Sequence, residues 1–413
     1  RRRDRGAAAR PGGASRMSDR RRAVARVNVA AIERNVQRLR GALSQGAGFC
    51  AVVKADGYGH GALQTATAAL AGGADWLAVA GAQEAVRLRQ AGFCEVPLLV
   101  MGALSDIERR EALQTSADVV VWHEQQVRQI QEAGGGRVHV KLDTGMGRLG
   151  TRDAAQATRT LEAAHEAPDV QAVGAMTHFA TADEREDGGF FARQLDLFSA
   201  WASKVKARWP QLIVHAANSA ATLREPASHF DMVRCGISIY GMDPFGVDPS
   251  QVSLQPALEL LSYVAEVKEC HPGQSAGYGR RFIATQDTSL AVLPIGYGDG
   301  WRRALSNGAC EVLIGGRRRT LVGTISMDNV TIDLGSDAAE AASLLGCEAV
   351  LIGAQGEQRI TAEEIARKLQ TINYEITCGL TPRAMRVYHR DGQDVAGAAP
   401  AKELHGVPSG LGG

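Results

Sequence analysis

Between residues 25 and 255 the chain alternates between two hydrophobic periods. Short runs of branched and small apolar residues read as buried strands: "FCAVVK", "WLAVAG", "VPLLVM", "ADVVVW", "RVHVKL", "VQAVGAMTHF", "LIVHAA" and "DMVRCG". Between them lie stretches with apolar residues at i, i+3 and i+4, such as "AQEAVRLRQAG", "EQQVRQIQEAG" and "RQLDLFSAWASKVKARW", which read as helices. Several close on glycine, a common helix stop. Eight strand–helix units in succession predict an α/β fold of the (β/α)8, TIM-type barrel class. An open, doubly wound sheet is the other architecture that this alternation allows.

After about Pro256 the pattern changes. "YVAEVKEC", "SLAVLPIGYG", "CEVLIGG", "RRTLVGTIS", "NVTIDLG" and "EAVLIGA" read as strands separated by Gly-rich turns, with "IGGRRR" as a hairpin. In "TAEEIARKL", Thr361 followed by Glu364 predicts a helix opened by a capping box. The expected organisation is a barrel over residues 24–255 and a mostly β C-terminal domain over 256–390. Residues 1–23 and 391–413 are expected to be disordered. The former carry "RRRDRGAAARPGGASR" ahead of Met17, with no apolar stretch of the secretory type. That segment reads as a leader, or as translation from upstream of the true start; an Arg-rich organelle transit peptide is the alternative. The latter are rich in Gly, Ala and Pro.

Composition narrows the function classes. A chain of 413 residues suits two domains, or a large barrel with an addition. Lys and Arg number 46 against 45 Asp and Glu, so no global field points to nucleic acid or to an anionic membrane surface. The seven cysteines are scattered, with no C-x-x-C. They read as reduced thiols of a cytoplasmic protein rather than a disulfide framework or a zinc site, and no metal is expected. No apolar run is long enough to span a bilayer.

Polar residues gather where the predicted strands end. Lys54 follows the first barrel strand, Lys141 and Asp143 the fifth, and His178 the sixth. Asn218 and Ser219 follow the seventh, and Arg234 and Gly236 the eighth. In a (β/α)8 barrel these positions ring the mouth that carries active sites. A lysine facing such a mouth can form a Schiff base. The loops after strands seven and eight, "ANSAA" and "RCGIS", are the usual phosphate site of such barrels. "ANSAA" reads equally well as an ordinary helix N-cap until the lysine is considered. Lysine and phosphate site together suggest pyridoxal 5'-phosphate (PLP).

These residues stand in motifs that resemble a known family. "VVKADGYGHG" resembles the PLP-lysine motif of bacterial alanine racemases. "HVKLDTGMGRLG", "THFATADE", "HAANSAA", "MVRCGISIYG", "AGYGRRF", "PIGYGDGWRR", "GTISMDNVTID" and "TINYEI" recur in that family's order, over roughly residues 24 to 388. The resemblance implies that Lys54 carries PLP and acts as one base, and that Tyr58, Ser219, Gly236 and Ile237, with Asn218 beside them, hold the phosphate. It implies that Arg148 touches the ring hydroxyl and the substrate carboxylate, and that Arg234 bonds the pyridine nitrogen. His178 would link Arg234 to the second base, Tyr278, supplied by the partner subunit of a homodimer. The Met327 backbone would help to bind the carboxylate, and Asp183, Tyr297 and Arg303 would line the access channel. Lys141 would be carbamylated and would orient Arg148. The implied substrate is alanine, and the implied product, D-alanine, is destined for peptidoglycan in a bacterial cytoplasm.

The residue types suit that chemistry. A proton removed from one face of Cα and returned to the other calls for two groups, and lysine and tyrosine supply them. A free tyrosine titrates near about 10, so it needs nearby positive charge to act as a base. Arginine at the pyridine nitrogen cannot give up its proton outright, which favours quick reprotonation over transamination. Two departures stand out: Pro382 replaces a tyrosine that braces the phosphate in many relatives, and Ser326 replaces a frequent cysteine. Competing readings are a PLP-dependent amino-acid decarboxylase of the same layout and a non-catalytic PLP-binding protein. The "KADGYGHG" and "AGYG" motifs speak against the first. The β domain speaks against the second, which resembles a lone barrel.

Overall fold

The structure is a computed structural model that describes residues 20–395. Its contacts divide the chain into two compact units. One comprises Arg26–Ala257 with the described residues from Arg386 onward, and the other comprises Leu258–Met385 with residues 20–25. The division falls inside the first strand, β1 (Val24–Asn28). The Asn28 side chain then accepts from Ala30 N at 3.2 Å and caps the helix Val29–Arg40.

The larger unit is a closed barrel of eight parallel strands. They are β2 (Gly48–Val52), β3 (Trp76–Val79), β4 (Leu98–Val100), β5 (Asp118–Val121), β6 (Gly136–Lys141), β7 (Val170–Met176), β8 (Ile213–His215) and β9 (Met232–Cys235). β9 closes onto β2 with Cys50 opposite Arg234, so the alternation builds a barrel and not an open sheet. The intervening helices include Ala82–Gln90, Glu124–Glu132 and Phe190–Arg208. They turn residues such as Leu88, Ile130 and Phe198, all almost fully buried, toward the strands. No described helix is long and apolar enough to cross a membrane.

The smaller unit is mostly β. Its strands are β10 (Leu258–Tyr263), β11 (Glu266–Cys270), β12 (Ser275–Ala276), β13 (Phe282–Ile283), β14 (Thr288–Leu293), β15 (Glu311–Ile314), β16 (Arg317–Val322), β17 (Val330–Gly335), β18 (Glu348–Gln355) and β19 (Gln358–Ile360). They run in the order β11-β14-β17-β16-β15-β18-β10, with β19 on β18 and a separate β12–β13 pair. Ile314 pairs with Arg317, and Gly315 and Gly316 between them have φ of 62° and 75°. That is the two-residue hairpin expected from "IGGRRR".

Several local expectations are corrected. "YVAEVKEC" is interrupted at Val264–Ala265 and divides between β10 and β11. "SLAVLPIGYG" stops being a strand at Leu293, because Pro294 has no N–H to give a ladder. The capping box at Thr361 is half formed. Thr361 Oγ1 accepts from Glu364 N at 3.1 Å, but the Glu364 carboxylate pairs with Arg318 at 2.8 Å and Lys368 at 3.2 Å. Residues 20–23 and 391–395 were assigned to a disordered leader and tail, yet they are ordered. Ala23 is buried, Arg22 pairs with Asp299 at 2.7 Å, and Asp391 pairs with Arg34 at 2.7 Å. These are non-local ion pairs that composition does not reveal. Residues 1–19 and 396–413, the remainder of that expectation, lie outside the described residues.

Candidate active site

The first barrel strand ends two residues before Lys54, and the chain then turns the wrong way. Ala55, Asp56, Gly57 and Tyr58 have φ of 52°, 51°, 61° and 51°. Four left-handed residues in a row cost roughly 1–2 kcal/mol each where a Cβ is present. The surroundings hold them. Glu84 spans the gap to the neighbouring strand end, accepting from Ala55 N at 2.6 Å and Ala80 N at 2.7 Å. Gly57 N donates to Val53 O at 2.9 Å, Ala62 N to Asp56 Oδ1 at 2.9 Å, and Arg386 Nε to Gly59 O at 3.0 Å. The segment after Lys54 is thus a fixed turn. It leaves Lys54 half-buried, with its Nζ 6.0 Å from the centroid of the Tyr58 ring.

Tyr58 leans toward the end of β9. A Cβ added to Gly236 would sit 2.4 Å from the Tyr58 hydroxyl, so only glycine permits this approach. Ser219 Oγ accepts from Gly236 N at 3.0 Å and Ser238 N at 3.4 Å. Ile237, almost fully buried, opens the short 3-10 turn between them. Four of the residues predicted to hold a phosphate are therefore adjacent. Asn218 serves as a cap: its Oδ1 accepts from Ala221 N at 2.9 Å, so its side chain is committed to positioning Ser219.

Arg234 is buried and tied down by four hydrogen bonds. NH1 donates to His215 Nδ1 at 2.8 Å. NH2 donates to Thr177 O at 2.8 Å, Ala216 O at 3.0 Å and His178 Nδ1 at 3.2 Å. Its Nε is buried with no protein partner. A buried orphan donor costs about 1–3 kcal/mol, so it suits a site where a ligand acceptor is to arrive. The pyridine nitrogen of PLP is such an acceptor. Ser238 Oγ, buried beside the Ser219 cluster, has no partner either. The residues present fit this cofactor.

The electrostatics point the same way. Burial, and then the charges of Arg234, Lys141, Arg148 and Lys54, hold the His178 imidazole well below its ordinary pKa. Four cations around one neutral ring describe a mouth made for anions. Because Arg234 only donates, His178 Nδ1 accepts and its Nε2 carries the proton. Lys141 is buried, and burial, then Arg234 and Arg148, pull its ammonium down to about 8. Asp143, accepting from Gly145 N at 3.1 Å and Gly147 N at 3.0 Å, fixes the turn that carries the exposed Arg148. Asp183 is exposed on the turn after β7.

The smaller unit brings its own predicted residues together on one surface. Tyr278 lies between β12 and β13, and Thr324 Oγ1 donates to its carbonyl at 2.8 Å. Tyr297 N donates to Ser326 O at 3.1 Å and Gly298 N to Met327 O at 2.9 Å, so those two loops are joined. The short helical turn that begins at Arg303 is tied to the same loops through Ser306, whose Oγ accepts from Ile325 N at 3.0 Å. Tyr278, Met327 and Tyr297 are 72%, 50% and 41% exposed.

The sequence model of the alanine racemase N-terminal domain matches residues 27–244, and that of the C-terminal domain matches residues 257–388. The chain belongs to the alanine racemase family. It is 38% identical over 381 residues to the alanine racemase of Halalkalibacterium halodurans, covering 90% of this chain and 96% of that protein. It is 36% identical over 376 residues to alanine racemase 1 of Bacillus subtilis, covering 89% and 93%. Among solved structures, the alanine racemase of Streptomyces coelicolor superposes with a TM-score of 0.83 at 37% identity, covering 89% of this chain and 98% of that one. That of Bacillus anthracis, solved with bound L-Ala-P, gives 0.82 at 34%, covering 91% and 97%. Within this family frame, sequence reasoning missed Glu84, the left-handed turn and the histidines beneath Arg234. The last had a signal: Arg137, His139 and Lys141 alternate along β6 and so share one strand face.

Proposed function

We propose that the protein interconverts L- and D-alanine with pyridoxal phosphate bound through Lys54, and so supplies D-alanine for peptidoglycan in a bacterial cytoplasm. The observation that carries this reading is the buried Arg234 with its orphan Nε, bonded to a His178 ring that also feels the charges of Lys54, Lys141 and Arg148. PLP, when bound, supplies an electron-withdrawing ring that weakens the substrate's Cα–H bond. Arg234 offers the ring nitrogen a hydrogen bond but keeps its proton. Tyr58, Ser219, Gly236 and Ile237 hold the phosphate, with Asn218 positioning Ser219.

Lys54 Nζ moves the proton on one face of Cα, and the Tyr278 phenol on the other. Tyr278 comes from the second subunit of a homodimer; its 72% exposure in the single chain supports that reading. His178 Nε2–H is available to stabilise the phenolate. Arg148 and the Met327 backbone orient the substrate carboxylate, while Asp183, Tyr297 and Arg303 line the access channel. Lys141 is carbamylated; its pKa of about 8 enlarges the share of neutral amine that takes up CO2. The carbamate then orients Arg148.

The test is the purified protein, reconstituted with PLP and offered a panel of L-amino acids. The expected result is D-alanine from L-alanine, and borohydride should fix the pyridoxyl group on Lys54. Release of CO2 without a D-amino acid, or fixation on another lysine, overturns the reading.

A further inference from the structure

Beneath Arg234 the barrel interior is not filled by the apolar layers usual for this fold. A string of polar side chains runs through it. Arg234 NH1 bonds His215 Nδ1 at 2.8 Å, His215 Nε2 bonds His139 Nδ1 at 2.8 Å, and His139 Nε2 bonds Asp118 Oδ2 at 3.0 Å. Arg137 Nε closes the far end on Asp118 Oδ1 at 2.7 Å. Arg234, His215, His139 and Asp118 are each no more than 2% exposed. Asp118 is the first residue of β5, whereas Arg234 lies next to the last residue of β9, so the string climbs from the opposite end of the barrel to the candidate site. Space is reserved for it: a Cβ on Gly174 of β7 would fall 2.2 Å from His139 Nδ1.

The proton positions follow from donor and acceptor chemistry alone. A guanidinium only donates, so His215 Nδ1 accepts and His215 Nε2 carries a proton. That proton is donated to His139 Nδ1, so His139 Nε2 carries one in turn and gives it to the carboxylate. All the bonds point one way, from cation to anion, and both imidazoles are neutral Nε2–H tautomers. Such aligned chains polarise each bond through the next.

We infer that Asp118, His139 and His215 are positioning residues for the reaction: they aim the Arg234 guanidinium and set how strongly its free Nε–H donates to the cofactor's pyridine nitrogen. This rests on the proposed function. The anion at the foot of the chain draws positive charge away from Nε. Cancelling that anion makes Arg234 a stronger donor, and freeing it from Arg137 makes Arg234 a weaker one.

The experiment reads the 15N resonance of the pyridine nitrogen in holoenzyme reconstituted with 15N-labelled PLP, together with the 15N resonances of the histidine rings. In the wild type, His139 and His215 should show the neutral Nε2–H pattern. Asp118→Asn keeps an acceptor for His139 but removes the charge, and should move the pyridine signal toward the protonated-pyridine value. Arg137→Gln alters a side chain that is 44% exposed and keeps an N–H donor for Asp118. It should move the signal the opposite way. Opposite displacements support the inference. A pyridine signal unchanged in both variants, with thermal stability alone affected, overturns it and leaves the chain a structural feature. If PLP does not bind at Lys54, the proposed function fails instead, and the histidine resonances still decide the tautomer chain.

Discussion

The two units carry their chemistry in opposite ways. In the barrel, several of the candidate site side chains are sunk into the fold. Arg234 and Lys141 are buried, and one hydrogen-bond chain joins Arg234 to Asp118. In the β unit, Tyr278, Met327 and Tyr297 stand on loops with much of their surface open. A buried guanidinium must have its bonds arranged by its own chain, because leaving it unpaired is costly. Tyr278 is held in its own unit through its backbone carbonyl, and most of its surface stays open. The contrast teaches that the proposed cofactor site is encoded in one unit's interior, while the proposed second base stands on a surface.

The largest effect expected is at Lys54. Lys54→Ala should reduce racemisation to background, because the proposed function makes Lys54 both the cofactor tether and one base. Retention of even a few per cent of the rate would break the assignment.

The units should also differ in their response to acid. His60 and His215 are 1% and 0% exposed. Burial, the largest cause, brings His60 down to about 4, while burial and then the charge of Arg234 hold His215 well below its ordinary pKa. Both are neutral when folded and would protonate when unfolded, below about 6.5. Stability is therefore complete above that pH and falls as the pH drops toward the folded values, by about 1.4 kcal/mol per pH unit for each. In the β unit, His271 is raised by its hydrogen bond with Asp287 and sits at the surface, with the opposite sign. Hydrogen exchange from pH 7 to 5 should show the barrel core weakening and the β core holding. Equal weakening would refute the buried-neutral assignment.

Point substitutions sharpen the comparison. Gly174→Ala forces a Cβ against His139 and should cost the barrel about 1–3 kcal/mol, measured by denaturant titration. Thr361→Ala removes one helix cap in the β unit and should cost about 1 kcal/mol. A cost at Thr361 larger than that at Gly174 would reverse the order.

The features visible in the sequence are those that local pattern encodes. The alternation of runs such as "RVHVKL" with amphipathic helices pointed to the barrel but also allowed an open sheet; the pairing of β9 with β2 decides between them. The strand ends pointed to Lys54, Lys141, His178, Ser219 and Arg234 as candidates. The rest depends on contacts far apart in the chain. Glu364 looked like a capping-box partner for Thr361, but Arg318, 46 residues away, takes its carboxylate. Asp391 looked like part of a tail, but Arg34 holds it. Ala55, Asp56 and Tyr58 carry no signal for a left-handed turn, since residues with a Cβ ordinarily avoid it and tertiary bonds impose it here. His139 and His215 lie within "RVHVKL" and "LIVHAA", which read only as strands.

The central claim is that the two proton-transfer groups, Lys54 in the barrel and Tyr278 in the β unit, serve opposite faces of the substrate. Tyr278→Phe keeps the ring and removes the acid–base group. Racemisation should fall by about 10²–10⁴-fold in both directions, because every turnover needs both faces. The decisive measurement is α-hydrogen exchange in D2O, followed by NMR of each alanine enantiomer with this variant. D-alanine should still lose its α-hydrogen through Lys54, and L-alanine should barely do so. Equal residual exchange from the two enantiomers would contradict the account.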